Sequence, residues 1–269
     1  MRFTETDLRW LARVVAGDDE RAAEALRHAW EADPDQLAEH IEDDRVLRRL
    51  QADDRAVIEL SPRFLFTVLL ARIRRDLAEV PYTVERVDAD GRVVVFDARA
   101  AHELLRSHEM FAYLVDLLVS FERAETMTIR RRTPGTKVWC LNTLNIDDMM
   151  QLANLVAPGL RPMVFRRIGD IALFTTGIFP EAVVRGPRRP LGIADTAAPL
   201  RRRLRLEDYE AEGRRFYRLA ADRLIASQPV LAQVLTRLAE EFTAARKPLN
   251  VLAERYVAWS RPHWRQLPS

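Results

Sequence analysis

Cysteine and lysine are the residues that this sequence uses least. Cys140 is the single cysteine, which excludes an intramolecular disulfide and any zinc or iron–sulfur site built from several cysteines. Of the 42 basic residues, only Lys137 and Lys247 are lysine. We attribute this bias to a GC-rich genome rather than to a need for guanidinium chemistry at most of the arginine positions.

Long apolar runs are also absent. The best candidate, residues 168–184, is shorter than a membrane span and contains Asp170 and Glu181. The first residues, MRFTETDLRWLARVV, lack the apolar region and the small-residue cleavage site of a secretory signal. We therefore expect a cytoplasmic protein that is not inserted in a membrane.

The common enzyme motifs are missing. The five histidines form no HExxH motif, and none of them follows a glutamate at Glu-x-x-His spacing. There is also no G-x-S-x-G, P-loop or G-x-G-x-x-G sequence. These absences weigh against an enzyme, and we expect no metal ion or other cofactor.

The chain is nevertheless rich enough in apolar residues to form a core. It has 269 residues, of which 48% are hydrophobic and 30% charged, so disorder is excluded. Apolar residues recur at helical spacing through most of it, after capping residues at Thr4, Asp18, Asp33-Pro34 and Ser61-Pro62. The pattern predicts a mainly α fold, a multi-helix globular bundle, in which Pro248 separates the last two helices.

Two short stretches change to a period of two residues and predict one or two small β-hairpins. In the first, residues 82–87 and 92–96 flank the turn 88–91. In the second, residues 126–132 and 137–141 flank the turn 133–136. Between them, the apolar residues 108–123 predict a central buried helix.

Residues 185–206 interrupt the helical pattern. This segment contains three prolines, two glycines and seven arginines, which is typical of an exposed loop or linker. It divides the chain into a helical domain with hairpin insertions, residues 1–184, and a three-helix segment, residues 207–269. We expect the two parts to pack together as one globule.

The most distinctive segment is residues 166–181. Gly169 and Gly177 each cost a helix about 1 kcal/mol, which close packing against another helix would explain. Asp170 is alone in an apolar helix and needs a partner if it is buried, and the nearest are Arg166 and Arg167. These three charged residues are also the candidate ligand-binding group.

Charge is unevenly distributed along the chain. Residues 1–129 contain 18 basic and 27 acidic residues, whereas residues 130–205 contain 14 basic and 5 acidic residues. We expect the two regions to pair internally, and an anionic partner is the alternative. The candidate nucleic-acid or anion-binding residues are Arg130, Arg131, Arg132, Lys137, Arg201, Arg202 and Arg203.

The order of elements between residues 63 and 141 resembles a winged helix, with the second hairpin as the wing. The helix at 108–123 would then have to read DNA. It is mostly apolar, and Glu109, Asp116 and Glu122 would repel phosphate. Nucleic-acid binding is therefore an alternative that we do not favour.

Taken together, these patterns predict a helical binding or accessory protein without a recognisable catalytic centre, whose partner is an unknown protein or an anionic molecule. The first alternative is a winged-helix-like nucleic-acid binding protein. The second is an enzyme or small-ligand receptor with a pocket near Asp170. The oligomeric state is left open.

Overall fold

Helices account for most of the structure, a computed structural model of the chain. The structure describes residues 2–17, 19–86, 92–122, 126–130, 138–142, 145–180 and 205–257. The predicted mainly α fold with small hairpins is confirmed. None of the helices in these ranges combines the length and the apolar character that crossing a membrane would require.

Internal contacts separate the chain into two compact units. Unit 1 consists of Met1–Glu79 and Leu105–Glu122, and unit 2 of Val80–Leu104 and Arg123–Ser269. The predicted loop or linker at 185–206 lies almost entirely outside the described residues, so a domain boundary there stays a prediction.

Unit 1 is helical throughout its regular structure. Its helices are α1 (Glu5–Ala16), α2 (Glu20–Ala32), α3 (Pro34–Ile41), α4 (Asp44–Ala52), α5 (Asp54–Glu59), α6 (Pro62–Glu79) and α8 (His108–Ser120). Most are short, and each of α2 to α5 begins after an aspartate whose carboxylate accepts hydrogen bonds from the first backbone N–H groups. Local capping therefore explains why so many separate helices form here.

The first two helices show where prediction succeeded and where it was wrong by one residue. Thr4 and Asp7 form the capping box of α1, and Gly17 ends the helix with a φ of 67°, a left-handed conformation that favours glycine. The cap of α2 is Asp19 rather than the predicted Asp18, because the Asp19 carboxylate is the one that accepts the backbone N–H groups of Arg21 and Ala22.

The core of unit 1 includes the packing of α8 on α6. As predicted, α8 is buried on nearly all sides, and its exposed positions include Glu109 and Asp116. Asp116 accepts a hydrogen bond from Arg63 of α6 at 2.5 Å, so a surface ion pair borders the apolar contact between the two helices.

Unit 2 contains both hairpins and the C-terminal helices. Its elements are β1 (Thr83–Arg86), β2 (Arg92–Val95), most of α7 (Ala98–Arg106), β3 (Thr126–Arg130), β4 (Val138–Asn142), α9 (Ile146–Leu155), a 3-10 turn (Pro158–Leu160), α10 (Arg161–Ile178), α11 (Leu206–Leu224), α12 (Pro229–Glu240), α13 (Phe242–Leu252) and a π-helical turn (Ala253–Val257). Both hairpins are antiparallel, with Thr83 opposite Val95 in the first and Arg130 opposite Val138 in the second.

Helix α10 is the centre of unit 2, since α9, α11 and α13 all pack on it. The predicted break at Pro248 was wrong. The chain breaks at Glu241, whose N–H still bonds to Arg237 and whose carbonyl already accepts the N–H of Ala245. Pro248 lies buried inside α13, where it has no N–H to donate to the helix.

Candidate functional site

Asp170, the predicted candidate for ligand binding, lies inside the core of unit 2. It is 4% exposed, and its Oδ1 accepts a hydrogen bond from the hydroxyl of Tyr217 in α11 at 2.9 Å. Arg166, one turn earlier on α10, places Nε 3.6 Å from Oδ2. Arg166 is thus one of the two partners that the sequence suggested, and Tyr217 is a further partner that it did not indicate.

The glycines of α10 allow its neighbours to come very close. A Cβ atom at Gly169 would lie 2.6 Å from the ring of Tyr217, and one at Gly177 would lie 2.5 Å from Cβ of Leu249. Real Cβ atoms essentially never approach other atoms so closely. The expected close packing at both glycines is confirmed.

These contacts give Asp170 a structural role. A buried carboxylate that accepts a hydroxyl and lies beside a guanidinium stabilises the packing of α10 on α11. Arg167 is half-buried on the same helix. Ligand binding by Asp170, Arg166 and Arg167 stays a prediction, because the contacts of Asp170 explain its burial without a ligand.

The predicted basic clusters fall mostly outside the described residues. This is so for Arg131, Arg132, Lys137 and residues 201–203. Of Arg130 only the backbone is described, at the end of β3. Whether these residues bind an anion stays a prediction.

The helix that a winged-helix protein would insert into DNA is α8. Its apolar side chains are buried in unit 1, namely Met110, Phe111, Tyr113, Leu114, Val115, Leu117 and Leu118. A recognition helix must present its side chains to base edges, and α8 exposes Glu109 and Asp116 instead. This geometry does not support a DNA-reading role for α8.

A different candidate site lies between α1 and α4 of unit 1. It is a surface groove of about 650 Å³ whose walls are one face of each helix. Each helix contributes residues at i, i+3, i+4 and i+7, the spacing of a single helical face. The groove residues of α1 and its C-cap are Trp10, Arg13, Val14 and Gly17, and those of α4 are Arg45, Arg48, Arg49 and Ala52.

Two contacts define how α1 and α4 run relative to each other along the groove. Arg45, near the start of α4, donates from Nη1 to the carbonyl of Val15 near the end of α1 at 3.3 Å. Ser61, which follows α5, donates its N–H to the carboxylate of Asp7 near the start of α1 at 2.8 Å. The two helices therefore run antiparallel, with Gly17 and Arg45 at one end of the groove.

The groove consequently has a basic part and an acidic end. Of its four arginines, Arg13 comes from α1, and the other three come from α4. Asp53 and Glu59 also line the groove, and they follow α4 toward the end that Trp10 occupies. A ligand that lies along the groove would contact positive charge over most of its length and negative charge at one end.

The arginines of the groove differ in whether they already pair with a carboxylate of the protein. Arg45 donates to both oxygens of Asp43, with a shortest distance of 2.6 Å, and this hydrogen bond holds the pKa of Asp43 below its usual value and raises that of Arg45. Arg48 donates Nε to the backbone carbonyl of Asp44 at 3.3 Å. Arg48 and Arg49 are exposed and have no carboxylate partner among the described residues, so their charges remain available to a ligand.

A smaller groove lies on the other side of Arg13 and contains more paired arginines. It measures about 350 Å³ and lies between α1 and α2. Here Arg13 pairs with Glu20 at 2.8 Å, and Arg9 and Arg27 both pair with Glu5. Arg21 is the one arginine of this groove without a carboxylate partner among the described residues, whereas the α1–α4 groove has two, so the α1–α4 groove is the stronger candidate.

Two polar clusters in unit 2 hold elements together. In the first, Lys247 is 1% exposed and lies 2.7 Å from Asp97, which also accepts the hydroxyl of Thr83 at 2.5 Å. This arrangement anchors α13 to the residue that precedes α7.

In the second cluster, Glu210 of α11 accepts hydrogen bonds from Arg214 Nη2 and Thr243 Oγ1, both at 2.7 Å. Arg214 also donates to the carbonyls of Ala239 and Glu240 at the end of α12. Burial raises the pKa of Glu210, but the hydrogen bonds from Arg214 and Thr243 outweigh burial and hold the pKa below its ordinary value.

No group of three or more metal-ligating side chains occurs among the described residues. Comparison of the chain with known protein families, with curated proteins and with solved structures found no match. Any function must therefore be argued from the geometry itself.

The groove was missed at the sequence level although its residues have a regular spacing. Arg45, Arg48 and Arg49 lie one turn apart, and Trp10, Arg13 and Val14 do the same. That pattern marks a face on each helix. The spacing within each helix does not indicate that α1 and α4 lie side by side.

Proposed function

We propose that the chain is a binding or accessory protein that holds an anionic segment of its partner in the α1–α4 groove. The observation that carries the proposal is the convergence of four arginines on one groove, in which Arg48 and Arg49 have no carboxylate partner among the described residues. A guanidinium presents several N–H donors in one plane, which suits carboxylate and phosphate groups.

The setting of the groove supports the proposal. Unit 1 contains more acidic than basic residues, so its field is negative overall. A cluster of arginines on such a unit concentrates positive charge locally and would direct an anionic segment to one place.

The contacts of Asp170 account for that residue without a catalytic role. Asp170, which the sequence suggested for ligand binding, is 4% exposed. Its contacts with Tyr217 and Arg166 suit a structural carboxylate.

The proposal can be tested with a short fluorescein-labelled polyglutamate chain as the probe. Fluorescence anisotropy would compare the natural protein with a double variant, Arg48→Glu and Arg49→Glu. We expect the affinity to fall by about tenfold, since reversing two exposed charges costs on the order of 1 kcal/mol or more. Circular dichroism would verify that the variant folds.

The matched control is the double variant Arg99→Glu and Arg218→Glu, which makes the same charge change at two exposed helical positions of unit 2. Its affinity for polyglutamate should stay close to that of the natural protein. Equal losses in both variants would show an effect of net charge alone and would refute the proposal, as would the absence of binding at low salt.

A further inference from the structure

We infer that the anionic segment bound by the arginines of the α1–α4 groove is the acidic part of an amphipathic helix of a partner protein, and that this helix has basic residues toward its other end. This inference rests on the proposed function and adds the class and the charge pattern of the partner.

The order of charges along the groove supports a partner of mixed charge. Arg45, Arg48 and Arg49 lie on one face of α4, and Asp53 and Glu59 follow toward the other end. A segment that is acidic over the arginines and basic over the two carboxylates would complement both parts. A uniformly anionic segment would complement the first part only.

The apolar residues of the groove supply an anchor for the apolar face of such a helix. Trp10 and Val14 are one turn apart on α1 and half-buried. The Trp10 ring stands edge-on to Phe64, with ring centroids 5.9 Å apart, which limits its movement. Rigid tryptophans in surface grooves are frequent anchors for partner side chains.

The spacing of the arginines favours a helix over an extended segment. Arg45 is one turn before Arg48 and Arg49, a rise of about 5 Å. Acidic residues three or four positions apart on a helix have the same separation. In an extended strand, residues on the same side are about 6.6 Å apart, which is further than the rise from Arg45 to either Arg48 or Arg49.

The carboxylates also weigh against a nucleic acid. A phosphate backbone has uniform negative charge along its length. If it followed the groove it would pass Asp53 and Glu59 at one end, and both would repel it.

The inference can be tested with synthetic peptides and the full-length chain. The first peptide is an amphipathic helix with leucines on one face, glutamates in its N-terminal half and lysines in its C-terminal half. The second has the same composition in shuffled order, and the third replaces the lysines with glutamates. We expect the first to bind about tenfold more tightly than the shuffled peptide, and more tightly than duplex DNA of similar length.

Substitution of Glu59 tests whether its charge changes the affinities for two peptides in opposite directions. Glu59→Gln should weaken the acidic–basic helix by about twofold to threefold and strengthen the all-acidic helix by a similar factor, because the same charge attracts one peptide and repels the other. Glu39→Gln, an exposed carboxylate of α3 outside the groove, should change neither affinity.

The outcomes separate the inference from the proposed function. If the shuffled peptide or duplex DNA binds as well as the acidic–basic helix, or if Glu59→Gln shifts both helices in the same direction, the helix inference is overturned. The proposed function survives that result if polyglutamate binding still depends on Arg48 and Arg49. If that dependence is also absent, both fail.

Discussion

The ring of Tyr217 occupies the space that a side chain at Gly169 would need, since a Cβ there would lie 2.6 Å from ring atoms Cδ1 and Cε1. The hydroxyl of the same ring donates to Asp170, the next residue along α10. Two consecutive residues of α10 thus fix one side chain of α11, the first by shape and the second by a hydrogen bond.

Replacing Gly169 with alanine should therefore destabilise the protein. The added methyl group must displace the Tyr217 ring, and we expect the free energy of unfolding to fall by about 1–3 kcal/mol. Urea unfolding would measure the change. Gly159→Ala is the matched control, since a Cβ there meets nothing within 4 Å, and equal stability of both variants would contradict the packing argument.

Replacing Tyr217 with phenylalanine should leave the ring in place and remove its hydroxyl. The buried Asp170 would lose a hydrogen bond, at a cost of about 1–3 kcal/mol in the free energy of unfolding. Tyr209→Phe provides the comparison, because the structure gives the half-buried Tyr209 hydroxyl no hydrogen bond to a described residue. The stability of this variant should stay close to that of the natural protein.

Replacing Glu210 with glutamine should destabilise the protein in a pH-dependent way. Because the pKa of Glu210 is lowered in the folded state, its carboxylate adds stability above the ordinary value of 4.5, and this is lost as pH falls through the folded-state pKa. At neutral pH we expect a loss of about 1–2 kcal/mol, which should shrink toward zero in acid.

Urea unfolding across this pH range would show the effect, with Glu254→Gln as an exposed control. A difference between the natural protein and the Glu210→Gln variant that is the same at every pH would refute the assignment.

Replacing Asp7 with alanine should cost more than the loss of an ordinary helix cap. The fully buried Asp7 carboxylate accepts the N–H of Thr4 at 2.8 Å and both the N–H and the hydroxyl of Ser61, at 2.8 and 2.7 Å. We expect a loss of about 3 kcal/mol in thermal or urea unfolding. Asp33→Ala removes a cap that serves α3 alone and should cost about 1 kcal/mol, so equal losses would contradict the role of Asp7 in joining α1 to α6.

The elements that the sequence predicted well are those whose causes are local. Asp33-Pro34 and Ser61-Pro62 each place a capping side chain directly before a helix, and Thr4 and Gly17 mark both ends of α1. The change of apolar period from helical to alternating located both hairpins. Capping and periodicity act within a few residues, so they can be read without knowledge of the fold.

The features that were missed depend on tertiary packing. Pro248 was expected to end a helix, but it is buried inside α13, whose packing on α10 outweighs the lost hydrogen bond. Tyr217 meets Asp170 from 47 positions away. The α1–α4 groove exists because two helices lie antiparallel, a relation that no spacing within either helix encodes.

Unit 1 is built from two segments that are separated in the sequence, and this affects how the chain folds during synthesis on the ribosome. The stretch Met1–Glu79 is translated before residues 80–104, whereas α8, which packs on α6, is translated after them. Until then the apolar side of α6 has no α8 to cover it, and a nascent chain in this interval carries surface that chaperones recognise. Unit 1 therefore cannot complete the packing of α8 on α6 until part of unit 2 has been synthesised.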